Sequence, residues 1–398
     1  MANLLIYSIV VLPINKYKTK HIWSIKCSIY VKIKIQIVCM NCGYPITINK
    51  GIFKMKFAIY AIVKNEEKHI QKFISYHLQE LQEQDSFVIL DTGSTDNTIN
   101  IINNYTNKVK LFTHVFEPFR FDDARNISLN FVPEDVDFCI SLDADETLSK
   151  GWRQKIEDSL EPLTTKLHFP YIYSWQDDKQ TIPNSTAYQE KCHSRHGYKW
   201  IHCVHERVEW IENPNDEKRK VVEFPILIHH PDESKERNYL PLCIQACKED
   251  PNDYWSSNYL IQEYQKQNKI DDALDEAFRF LTITNEACKS NLNTKYGKDI
   301  AAVKQLRASI CTEIATIYAS SKQNIEQAIA WAMRAIGEAP EVRDNWLYTA
   351  ELYLILKKKY MALEFIRFGL QFNTKGSSVT DRFWRKEYID SLLLRCMQ

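Results

Sequence analysis

Glycine is scarce in this chain, nine among 398 residues, and the glycine loops that cradle phosphates are missing. No Gly-x-Gly-x-x-Gly follows the first strand-like run, which counts against a dinucleotide oxidoreductase. No Gly-Lys-Ser/Thr occurs, which counts against a P-loop NTPase. A charge bias is absent too. Fifty-one basic residues face fifty-one acidic ones, so nothing predicts a field built for nucleic acid or anionic membrane. No apolar run reaches the ~20 residues of a membrane span. A disulfide framework is not legible: eleven cysteines lie scattered, mostly singly, which reads as buried thiols in a reducing, cytoplasmic compartment. The apolar stretch Ala2–Ile14 lacks a basic n-region and a small-residue cleavage site, so a signal peptide is not expected.

What the chain does have is length for two or three domains, with 44% apolar and 12% aromatic residues to fill their cores. Residues 1–54 are an Ile/Lys/Tyr-rich mixture without helix caps and read as a poorly ordered extension, the working protein starting at Met55. Cys39-Met40-Asn41-Cys42-Gly43 has the look of half a zinc knuckle, but no second Cys-x-x-Cys closes a tetrahedral site.

From Met55 the pattern sharpens. Phe57–Val63 is a buried-strand run that ends in Lys64-Asn65-Glu66-Glu67, and apolar residues from Ile70 to Leu81 follow at helical spacing. Phe87–Leu90 is a second strand, ending in Asp91-Thr92-Gly93-Ser94-Thr95-Asp96-Asn97-Thr98. Gly93 permits a tight turn there, and Ser94 or Thr95 is the expected cap of the next helix. Val109–Phe112 is a third strand, and Phe121-Asp122-Asp123-Ala124-Arg125-Asn126 opens a short helix with Asp122 as its cap. Phe138–Leu142 then stops at Asp143-Ala144-Asp145-Glu146. Alternating strands and helices predict an α/β sheet, with Asn65/Glu66, Asp91 and Asp143/Asp145 gathered along one edge. One polar strand end is a turn. Three, with Arg125 and Asn126 beside them, read as a nucleotide pocket: Asp-x-Asp offers oxygens to a divalent cation that neutralises a diphosphate, and Arg125 offers a planar fork.

These blocks, Ile62–Glu66, Asp91–Thr98, Ala124–Asn126 and Leu142–Glu146, resemble family-2 glycosyltransferases of the GT-A fold in order and spacing, over roughly 55–230. The resemblance implies a nucleotide-sugar donor, UDP-linked, with Glu66 and Asp91 (and Asn65 beside them) at the nucleoside, Arg125 nearby and Asp143 at the ribose. It puts Asp145 on Mn²⁺ or Mg²⁺. Trp200 and Val204-His205-Glu206 resemble the block that carries the family's base, which makes Glu206 the candidate base and His205 a pocket residue. His229 or His230, after Ile226-Leu227-Ile228, resembles a late histidine that completes the metal shell. Asp96, Asn126 and Trp200 join the expected pocket.

By pattern, Lys166–Trp175 and Lys199–Trp210 read as single strands. In the second of these His205 and Glu206 would face opposite sides unless the strand ends or bends there. Cys192, His193, His196, His202, Cys203, His205 and Glu206 fit no usual zinc template. After Pro231 strands vanish. Residues 255–278 read as two amphipathic helices, Ala328 and Ala362 stand 34 positions apart, the tetratricopeptide period, and Ala273 to Ala328 spans 55, which calls for an insertion at 285–299.

Three segments are expected: the extension 1–54, a GT-A domain 55–235, and a tetratricopeptide-like helical domain 236–398. The function expected is metal-dependent, inverting sugar transfer to a peptide or protein acceptor, with homodimerisation through the helices and no nucleic-acid partner. The layout also resembles bacterial S-glycosyltransferases that modify glycocin peptides. The rival readings are a nucleotidyltransferase on a related fold and an inactive repeat scaffold.

Overall fold

The computed structural model describes residues 35–38, 45–48, 55–175, 183–224, 226–230, 238–289, 300–374 and 381–398. The expected extension therefore lies almost wholly outside the described residues, as do Cys39 and Cys42. Within it, β1 (Ile35–Val38) and β2 (Pro45–Ile48) pair antiparallel.

The chain divides into two compact units. The first comprises residues 1–202 and 206–236, the second residues 203–205 and 237–398. The elements of the first unit alternate as the sequence predicts: β3 (Phe57–Val63), α1 (Ile70–His77), β4 (Ser86–Asp91), α2 (Thr98–Asn103), β5 (Lys110–Thr113), α3 (Phe121–Asn130) and β6 (Phe138–Ser141). There follow β7 (Glu146–Leu148), α4 (Trp152–Ser159), β8 (Lys166–Trp175), β9 (Pro183–Ser194), β10 (Tyr198–Ile201), β11 (Arg207–Trp210), β12 (Arg219–Val221) and β13 (Leu227–His229). The main sheet runs β5-β4-β3-β6-β9-β8-β13-β7, with β12 beside β8. Strands β5, β4, β3 and β6 are mutually parallel, so their carboxyl ends share one edge. Strand β9 then runs antiparallel between β6 and β8.

The apolar runs explain the core. Phe57, Ile59, Phe87, Ile89 and Ile140 pack one face of the sheet against Ile70, Phe73 and Ile74 of α1, with Trp152 and Ile156 of α4 in the same cluster. Ala58, Tyr60, Val88 and Cys139 pack the other face against Leu129, Val132 and Trp200. Continuous apolar strands follow from a sheet buried on both faces.

Three local expectations differ from what is found. Residues 199–210 are not one strand but the antiparallel hairpin β10–β11, with Ile201 opposite Arg207 and a turn at residues 202–206. The α2 and α3 caps also differ. Ser94 bonds to Asp91 rather than capping α2, and Asp122 accepts from Arg120 at 2.9 Å and from the Asp123 N–H at 3.0 Å. In both cases the polar side chain bonds to a partner within three residues along the chain instead of capping the helix.

In the second unit no strand occurs among the described residues. Its helices are α5 (Leu240–Glu249), α6 (Tyr254–Lys266), α7 (Ile270–Lys289), α8 (Ile300–Ser320), α9 (Ile325–Glu338), α10 (Arg343–Ile355), α11 (Lys359–Gly369) and α12 (Lys386–Met397). Ala273, Ala328 and Ala362 are each fully buried, on α7, α9 and α11. Of the 21 residues by which this 55-residue spacing exceeds 34, 14 lie in the longer helices α7 and α8, which have 20 and 21 residues against 14 and 13 for α9 and α10, and the expected insertion at 285–299 falls mostly outside the described residues. Asp253 and Asn324 cap α6 and α9 through backbone N–H groups at 3.1 Å and 3.0 Å. No described helix is long and apolar enough to cross a membrane.

Candidate functional site

The parallel strands deliver their polar ends to one edge. Strand β4 ends on Asp91 opposite Val63, the last residue of β3. Asn65 and Glu66 come next on that side. The two loops are then zipped by side chains. Asn65 Oδ1 accepts the Thr95 N–H at 2.8 Å, Ser94 Oγ accepts the Asn65 N–H at 2.9 Å, and Thr98 Oγ1 accepts the Glu66 N–H at 2.7 Å. Asp96 accepts the N–H groups of Glu67 and Thr98 at 3.1 Å and 3.0 Å. Slight burial pushes the Asp96 carboxyl up, but these hydrogen bonds outweigh it and hold the group below its ordinary value. Asp91, buried, accepts from the N–H groups of Gly93 and Ser94, both at 2.9 Å, and from the Ser94 hydroxyl. Asn65 and Asp96 therefore shape this wall, and Asp91 is fixed in it.

The second cluster centres on Arg125, a buried residue of α3. Its Nη2 donates to Asp143 Oδ1 at 2.6 Å, its Nε to Glu206 Oε1 at 2.9 Å and its Nη1 to Ser141 Oγ at 3.2 Å. Its guanidinium also lies 5.2 Å from the Trp200 ring centre. The sequence suggested a fork open to a ligand, but the fork is committed to protein carboxylates. Arg120, not Arg125, takes up Asp122 and Asp123. Burial pulls the Arg125 pKa down, yet the charges of Asp143 and Glu206 more than restore it.

Lys191 of β9, which sequence reasoning missed, completes the group. Its Nζ lies 3.3 Å from Asp143 Oδ2 and 3.2 Å from Glu146 Oε1. Nothing in the local pattern marks this lysine. Only the antiparallel pairing of β9 with β6 brings it to the strand end. Burial raises the Asp143 pKa, but Arg125 and Lys191 overcome it and hold the carboxyl well below its usual range. Glu146 goes the other way. Burial raises it, aided by Asp143 and Asp145 and opposed by Lys191, and its carboxylate accepts the Tyr171 hydroxyl at 3.0 Å and the Asp143 N–H at 3.0 Å.

Asp145 and His229 form a third pair, with Oδ2 and Nε2 3.4 Å apart. Burial lowers the His229 pKa, but hydrogen bonding and charge from Asp145 lift it above the ordinary value, helped by a hydrogen bond to the Tyr173 carbonyl. His230 faces elsewhere, its Nε2 2.9 Å from Thr147 Oγ1. No group of three or more His, Cys, Asp or Glu side chains is arranged to hold a metal among the described residues. Asp145 and His229 are two neighbouring side chains of types that could share a cation.

The remaining expected residues divide. Asn126 and Trp200 join the cluster, Asn126 through two hydrogen bonds to the Trp200 backbone. His205 does not. It groups with the helical unit, where its ring stacks on Tyr259 at 3.7 Å and 14°.

Residues 59–229 match the family model described as Glycosyl transferase family 2. One curated relative is the lipopolysaccharide core biosynthesis glycosyltransferase LpsC of Rhizobium meliloti (strain 1021). It is 28% identical over 108 residues, which is 27% of this chain and 38% of that protein, so the chain spans well under half the relative's length. Among solved structures, one titled for the functional characterization of Pseudomonas aeruginosa pilF aligns over 39% of this chain and 63% of its own, at 9% identity and a TM-score of 0.28. MamA MSR-1 C2 aligns over 33% and 64%, at 14% identity and a TM-score of 0.23. Likeness that low places the chain with neither.

Proposed function

Because residues 59–229 match the Glycosyl transferase family 2 model, we propose that this chain transfers a sugar from a UDP-linked donor to an acceptor hydroxyl, thiol or amine, with inversion. The observation that carries the reading is Arg125, which binds a carboxylate of the Asp-x-Asp segment and Glu206 through one guanidinium. Asp91 and Glu66 receive the nucleoside, and Asp143, fixed by Arg125 and Lys191, receives the ribose. Asp145 and His229 would hold Mn²⁺ or Mg²⁺, which when bound offsets the charge developing on the leaving diphosphate. Imidazole among carboxylates favours Mn²⁺.

Glu206 acts as base toward the acceptor. Its Oε1 is held by Arg125, and its Oε2 has no protein partner among the described residues, leaving that oxygen for the acceptor proton. A peptide or protein acceptor remains part of the proposal, supported by the paired helices of the second unit, which resemble surfaces that bind extended chains. We further propose a cytoplasmic setting, supported by cysteines that lie scattered and mostly single along the chain.

The test is incubation with Mn²⁺, a panel of UDP-sugars, and sugar, serine-peptide and cysteine-peptide acceptors, measuring released UDP. Asp145→Ala is expected to lower turnover at least about 100-fold, a loss of ~2.7 kcal/mol in transition-state stabilisation. It is also expected to remove the Mn²⁺ dependence of UDP binding in calorimetry. Parental activity in that variant would reject the metal assignment.

A further inference from the structure

The turn that carries Glu206 has an unfavourable backbone. His202 and His205 have φ of +73° and +50°, a region that costs a residue with a Cβ about 1–2 kcal/mol. A turn of this kind keeps one shape only where bonds from outside over-determine it. Two of those bonds come from consecutive residues of α3. Arg125 Nε holds the Glu206 carboxylate itself. Asn126 holds the strand that leads into the turn: its Nδ2 donates to the Trp200 carbonyl and its Oδ1 accepts the Trp200 N–H, both at 2.9 Å. That pair of bonds reproduces what a neighbouring strand would give, on a two-stranded sheet whose β10 pairs with β11 alone among the described residues. Below, the Trp200 indole donates to the Tyr60 hydroxyl at 2.8 Å, and that hydroxyl lies 2.7 Å from His193 Nε2. His193 Nδ1 sits 2.8 Å from the Ser194 carbonyl and must donate to it. Nε2 is then the acceptor, so every member of the chain from Asn126 to His193 has a defined role.

We propose that Asn126 is a positioning residue for Glu206. It fixes β10, and through β10 the turn, so that the Glu206 carboxylate meets Arg125 and presents its second oxygen to the acceptor. It acts on proton transfer only through Glu206 and contributes nothing to donor binding. The proposal rests on the reading of Glu206 as the base.

The first test needs no substrate. In the full chain, Asn126→Ala should speed amide hydrogen exchange across residues 200–207 at least about tenfold, while exchange in α1 and β4 stays as in the parent. Unchanged exchange across 200–207 overturns the proposal. Asn126→Asp keeps the acceptor oxygen and loses the donor, so it should fall between the two. It also serves as the test variant if the alanine form does not fold.

The second test is a kinetic cycle with the UDP-sugar and acceptor that turn over in the panel. Asn126→Ala should lower kcat by about 10- to 100-fold, the size of loss expected from misplacing a catalytic group by about 1 Å. The UDP dissociation constant with Mn²⁺ should stay within about twofold. Combined with Glu206→Gln, the asparagine change should cost no more than about a further twofold, since residues acting as a unit are not additive. Additive losses, or weakened UDP binding at unchanged kcat, overturn the proposal. If Glu206→Gln alone turns over at the parental rate, the base assignment itself fails, a result distinct from additivity.

Discussion

Lys191 shows how far charge balance at single residues shapes this site. Three carboxylates, Asp143, Glu146 and Glu206, meet two fixed cations, Arg125 and Lys191, and Glu146 is almost fully buried. Removing the lysine leaves Glu146 facing Asp143 and Asp145 without a counter-charge. Breaking a buried pair from one side costs roughly 3 kcal/mol or more. Lys191→Met is therefore expected to lower the urea midpoint of the ligand-free sheet unit by that order. Adding Glu146→Gln should recover most of it, because the orphaned charge is then gone. A double variant no more stable than the single one would show that Lys191 stabilises by packing instead. The carboxylates of this site were legible as residues, since acidic clusters after apolar runs stand out. Lys191 was not, because a lysine in an alternating strand looks the same whether it faces solvent or two carboxylates.

At the scale of elements, the β10–β11 hairpin is the piece the sequence pattern misread. Its run of apolar and aromatic residues from Lys199 to Trp210 suits a continuous strand, and nothing local announces the turn at 202–206. Its entry is set by Gly197, whose φ is +85° and whose missing Cβ makes room for the Trp210 indole. A Cβ at that position would overlap the ring, which is itself held by a hydrogen bond from Nε1 to the Asn213 carbonyl at 2.9 Å. Left-handed strain and overpacking add in Gly197→Ala, to about 3 kcal/mol. The expected result is a lower urea midpoint for the sheet unit, with UDP release falling in parallel because the same hairpin carries Glu206. A variant as stable as the parent would mean that Trp210 swings aside without penalty. In the helical unit the reverse holds. Alanines at repeat spacing were readable from sequence, and they fall on α7, α9 and α11 as buried contacts.

At the scale of the whole molecule, two fully buried imidazoles of the sheet unit add to the response to acid. His77, with Nδ1 2.8 Å from the Phe73 carbonyl, and His193 have no exposed surface, and burial pushes each down to about 4. Their unfolded value is ~6.5, so between pH 6.5 and 4 the unfolded chain takes up protons that the folded chain refuses. Stability from these groups is complete above pH 6.5 and is lost as pH falls toward 4, by up to about 3 kcal/mol for each. Thermal unfolding of the sheet unit should thus move to lower temperature between pH 7 and 5, and His77→Gln should flatten the slope by about half. A melting temperature constant over that range would contradict the burial of both rings.

The sequence by itself determined the alternation of buried strands and helices, the acidic ends of β3, β4 and β6, and the change to paired helices after Pro231. Each is written in periodicity, composition or a strand-terminal cluster, all local along the chain. Only the tertiary structure decided what those ends do. It turned Asn65 and Asp96 into loop staples, gave the Arg125 fork to Asp143 and Glu206, separated His229 from His230, and brought in Lys191. Those outcomes depend on strand order and on which charges share a buried volume. Electrostatic partners are chosen by distance in space, and spacing along the chain does not carry that information.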